Sequence, residues 1–85
     1  MKTTLLRYQV VIRKEGKAYI ADVPTLGISD FGSTLELAKR HVRDAIAVHV
    51  EGLVKTNTPV PSPDTEEYYL STTEVPVSGS IRFAA

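Results

Sequence analysis

The chain carries two histidines, ten Asp and Glu, ten Lys and Arg, and no cysteine. Without cysteine there is no disulfide framework, no thiolate zinc site and no cysteine nucleophile. His41 and His49 stand eight residues apart. On a helix that separates them by roughly 80° in azimuth, whereas two ligands of one ion want i, i+3 or i+4 spacing. No metal site is expected. His49 falls on an apolar stripe and reads as a partly buried, hydrogen-bonded side chain, with an oligomer contact as its functional alternative. Two-metal hydrolysis needs clustered carboxylates that hold ions ~3.5–4 Å apart. Asp22, Asp30 and Asp44 are scattered, and Leu6 to Arg13 contains no acid. There is no Ser-His-Asp order, Gly-rich phosphate loop or nucleophile elbow. These residues point to no catalytic group and no cofactor.

The remaining polar residues suit recognition. Lys39, Arg40 and Arg43 fall on successive turns of the same helix, where a phosphate patch is conceivable. Glu36 and Arg40 at i, i+4 make an ordinary helix pair instead, and zero net charge favours a solvated face. In the tail, Tyr68 and Tyr69 follow Glu66 and Glu67. On a strand the two rings point to opposite faces, so one can pack while the other meets a basic partner.

The elements that position these residues follow from periodicity. Leu6, Tyr8, Val10 and Ile12 alternate with Arg7, Gln9 and Arg13, which predicts a strand over 6–13. Lys14-Glu15-Gly16-Lys17 is a tight turn, Ala18 to Val23 a second strand, and Ile28 to Phe31 a short third one. Ser33 and Glu36 fit a capping box for a helix from about Thr34 to Lys55. Leu35, Ala38, Val42, Ala45, Ile46, His49 and Leu53 form its apolar stripe. Pro59, Pro61 and Pro63 mark an extended connector. Glu67 to Val77 leans towards a strand, and Pro76 restricts it to an edge.

Length limits what these elements can build. Eighty-five residues of 9.3 kDa correspond to a compact surface of roughly 5,000 Å², with about 63% of the unfolded surface buried. That is one thin core. The formal net charge of zero gives no global field for nucleic acid or an anionic membrane. No apolar run reaches the ~18 residues of a membrane span. Arg7 interrupts any signal-peptide core, so the cytoplasm is the expected compartment.

Four features occur in order: Tyr19-Ile20-Ala21-Asp22-Val23-Pro24, then Leu26-Gly27, then Gly32-Ser33-Thr34-Leu35-Glu36-Leu37-Ala38, then Val60-Pro61-Ser62-Pro63. Their order and spacing, over about Leu6 to Pro63, resemble the HicB family, the antitoxin components of HicA/HicB toxin–antitoxin pairs. Ser33 stands where the family has an Asp, and Leu37 where it has a second Glu. The resemblance implies an α+β fold: a three-stranded antiparallel meander, one long helix on one face and a C-terminal strand, a partial RNase H-like βββα-β arrangement. Residues 1–63 would form the core and connector. Residues 64–85 would be a β tail of the same domain, or one exchanged between subunits.

By the same resemblance the chain is a non-catalytic antitoxin that covers a small, basic HicA-type ribonuclease. Longer members add a DNA-binding module, for which there is no room here, so direct DNA binding is not expected. Asp22, Asp30, Glu66, Glu67, Tyr68 and Tyr69 are the candidate toxin contacts. The alternative is an orphan HicB-like module without a toxin. It would associate into a dimer or tetramer through His49, Val75, Val77, Ile81 and Phe83.

Overall fold

The computed structural model describes residues 2–65 and 69–84. Three strands precede one helix: β1 (Val11–Glu15), β2 (Ala18–Val23), β3 (Ile28–Gly32) and α1 (Leu35–Lys55). The sheet is antiparallel, in the order β1-β2-β3. This is the α+β meander with one helix that the sequence predicts.

Glu15 pairs with Ala18 across a two-residue loop. Gly16 there has φ +61°, the positive value that a type II′ hairpin needs at its first loop residue. At the other end of β2, Pro24 cannot donate to a ladder, and Gly27 N–H instead bonds Val23 O at 2.9 Å. That early stop explains why β1 begins at Val11 and not at the expected Leu6. Val11 is opposite Asp22 and β2 ends at Val23, so residues 6–9 run past the end of β2. They take their bonds from the proline connector: Asp64 N–H to Arg7 O at 2.9 Å, and Gln9 N–H to the Asp64 carboxylate at 2.7 Å. Tyr8 OH donates to Pro61 O at 2.6 Å.

The helix is capped by Thr34, one residue later than the expected Ser33. Thr34 Oγ1 accepts from Leu37 N–H at 3.1 Å. Position N3 is thus Leu37, which has no carboxylate to complete a capping box. At the other end Asn57 takes a left-handed φ of 55°. Asn57 N–H bonds Val54 O and Thr58 N–H bonds Leu53 O, the two bonds of a Schellman motif.

Alternation along the strands gives the sheet two unlike faces. Tyr8, Ala21, Val23, Leu26 and Val42 form the buried cluster, with Val10, Ile12, Ile28, Ile46 and Val50 packed against it. Ala21 and Ala38 are fully buried, and their small side chains let the helix approach closely. Of the predicted stripe, Ala38 and Val42 are buried, Ala45, Ile46, His49 and Leu53 are half-buried, and Leu35 is exposed. Val11, Arg13 and Phe31 lie on the other face, which the helix leaves uncovered.

The expected C-terminal strand is not formed: among residues 69–84 there is none. A strand exists only against a partner edge. Pro76 lacks a donor, and Gly79 has φ +98°, which interrupts an extended run.

Candidate functional site

Three features could meet a partner: the open sheet face, the outer edge of β1, and the tail. On the open face, Ile20 lies opposite Phe31 and Val11 opposite Asp22. Phe31 is 65% exposed. Arg13 reaches diagonally to Asp22 in a hydrogen-bonded ion pair and lies 3.5 Å from Glu15. The result is an apolar strip beside a small ionic cluster. The pairs are exposed and worth at most about 1 kcal/mol each.

Of the candidate acids, Asp22 and Asp30 are placed on opposite faces of the sheet. Asp22 is on the open face and engaged by Arg13. Asp30 is two residues from Ile28 on the helix-facing side by alternation, and its carboxylate accepts from the adjacent Phe31 N–H at 2.8 Å. Its local role is to satisfy a backbone donor. Glu66, Glu67 and Tyr68 lie outside the described residues. Tyr69 is exposed in the tail. His49 is half-buried on the helix. His41 is exposed, and its Nδ1 sits 2.7 Å from Phe31 O. Val75, Val77, Ile81 and Phe83 are all exposed. Among the described residues no group of three or more His, Asp or Glu is placed to hold a metal ion.

The two edges of the sheet differ. In a two-residue hairpin the closing pair is hydrogen-bonded and the bonds then alternate. Val11, Arg13 and Glu15 therefore bond β2, while the backbone groups of Ile12 and Lys14 face outward. The same alternation turns Phe31 outward from β3. There Asp30 takes its N–H and His41 meets its C=O. The β3 edge is blocked by side chains at its centre, and the β1 edge is open.

A groove of ≈ 510 Å³ runs beside that open edge, between residues 6–12 and the helix. Val10, Ile12, Val42 and Ile46 line it, and Lys39 and Arg43 form its rim. Two of the predicted basic trio, Lys39 and Arg43, thus form a solvated rim around an apolar floor, and Arg40 is exposed outside it. Away from the groove, the Asp64 carboxylate accepts from Gln9 N–H and, at 2.8 Å, from Thr25 Oγ1. These bonds hold its pKa below the ordinary value. Sequence reasoning missed Asp64 because both partners are 39 or more residues distant. A Pro-Asp step carries no local signal for them.

No helix among the described residues is long and apolar enough to cross a membrane. No family model matches the chain, and no solved structure matches it significantly. An uncharacterized 14.9 kDa protein from the rep-hol intergenic region of Haemophilus phage HP1 is similar to it, with 29% identity over 68 residues. The match spans 79% of this chain and 51% of that protein, so the chain corresponds to about half of its curated relative.

Proposed function

We propose that the chain is a non-catalytic binding module, a HicB-like antitoxin that covers a small HicA-type ribonuclease with the open face of its sheet. One observation carries the reading. The helix covers a single face of the sheet, and the other presents exposed Phe31 beside Ile20 and the Arg13–Asp22 pair. An antitoxin acts by occlusion, which takes shape and a few polar anchors. The family resemblance over Leu6 to Pro63 supplies the partner.

The test is co-expression with a small basic reading frame adjacent to the gene. Co-purification and restored growth are the expected results. Phe31→Asp is expected to weaken the complex at least tenfold without lowering the melting temperature of the chain alone, because Phe31 is outside the core. Absence of a complex, or a complex indifferent to Phe31→Asp, overturns the reading. The alternative is a self-associating module without a toxin. The exposed apolar side chains of the tail favour it, since they serve no core of their own.

A further inference from the structure

The tail and the β1 edge have complementary defects. The tail has strand-forming side chains and no edge to pair with. The β1 edge has outward backbone groups at Val10, Ile12 and Lys14, and no described residue bonds them. The chain's accessible surface is 7627 Å², against roughly 5,000 Å² for a compact chain of this mass. The excess of roughly 2,600 Å² per chain exceeds the ~800 Å² per partner that a stable dimer buries.

We propose that the groove beside β1 receives the tail of a second copy as an added strand, so that two chains exchange tails about a two-fold axis. The proposal rests on the self-association reading and names its surface. Thr73 to Val77 is the segment that fits. Val75 and Val77 point the same way in an extended chain, and they are 71% and 63% exposed. Both enter the apolar groove over Val42 and Ile46. Pro76 then turns its donor-less nitrogen away from β1, where an edge strand needs no donor. The backbone groups of residues 75 and 77 face β1 and meet those of its outward row. This is strand addition to a sheet edge, with main-chain bonds for affinity and alternate side chains for fit.

The occupant is a second copy because the chain's own tail leads away. Pinned at Asp64, the molecule stretches to 63 Å, with a radius of gyration of 17.4 Å. A compact chain of this length has about 12 Å. Two-fold exchange fills both grooves with one reciprocal contact. It blocks both open edges and leaves the open sheet faces free.

Sedimentation equilibrium of the full chain, with amide hydrogen exchange by NMR, tests this. The wild type is expected to be a dimer whose Val10, Ile12 and Lys14 amides are protected. The double variant Val75→Asp/Val77→Asp is expected to weaken the dimer on the order of a hundredfold, by loss of two buried valines, and to expose those three amides. Its monomer fold is expected to persist, because both positions are exposed in the single chain. A dimer unchanged by the double variant overturns the exchange and leaves self-association standing. A wild-type monomer at several hundred micromolar overturns both, whether its outward amides are protected by its own tail or unprotected.

Discussion

Asp64 is the residue on which the connector depends. Its backbone N–H goes to Arg7, and its carboxylate takes Gln9 N–H and the Thr25 hydroxyl. One side chain thereby ties the proline segment to both the strand before β1 and the turn after β2. The bond from Gln9, and then that from Thr25, favour the charged form and lower its pKa from 3.8. The folded state therefore binds this proton more weakly than the unfolded chain does. Its contribution to stability is complete above the ordinary value and is lost as pH falls through the lower folded one. Asp64→Asn is expected to lower the melting temperature at pH 7, with the gap to wild type closing as the pH drops below about 3.8. Thermal melts from pH 7 to pH 2 measure it. A gap that stays constant over that range contradicts the carboxylate's role.

Among the elements, the meeting of β3 and α1 is the tightest. A Cβ on Gly32 would lie 2.5 Å from Ala38 N and 2.8 Å from Leu37 Cβ. Both neighbours belong to the first turn of the helix and cannot swing aside. Gly32→Ala is expected to cost about 2 kcal/mol in urea unfolding, by forcing the helix off the sheet. Gly52→Ala, with open space around it, is expected to stabilise the helix by about 0.5–1 kcal/mol. Equal effects of the two would show that Gly32 is not a packing constraint. The strands and the helix were legible because their periods are local: Tyr8, Val10 and Ile12 alternate with Arg7, Gln9 and Arg13, and Ala38, Val42 and Ile46 repeat every four residues. The β1 start and the cap position were not. β1 begins where β2's Pro24 withdraws its partner, and the cap falls on Thr34 because close packing at Gly32 sets where the turn can begin. The surroundings of the site residues were not legible in this way. The candidate acids were chosen for charge, and the fold then engaged Asp22 with Arg13 and Asp30 with a neighbouring amide. Asp64 and the open β1 edge arise from long-range pairing, which no window of sequence contains.

At the scale of the whole molecule, the question is which part of the chain folds by itself. Every residue of the buried cluster lies between Tyr8 and Val42. The connector is pinned through Pro61 and Asp64, and the apolar side chains described beyond residue 69 are exposed. The core should therefore form without the tail, while association should require it. A chain ending at Thr65 is expected to show the same helical circular dichroism and a melting temperature independent of concentration. Full-length protein is expected to melt higher as its concentration rises, because a dimer that binds only folded chains stabilises by mass action. A chain ending at Pro63 loses the three Asp64 bonds as well, and should melt below the one ending at Thr65. If the shorter chains fail to fold at any concentration, the tail belongs to the core. If full-length and Thr65-ended chains melt together at every concentration, the tail contributes to neither. The ordering expected here, full length above Thr65 above Pro63, separates the two functions that meet at Asp64: closing a small core on one side, and sending a strand outward on the other.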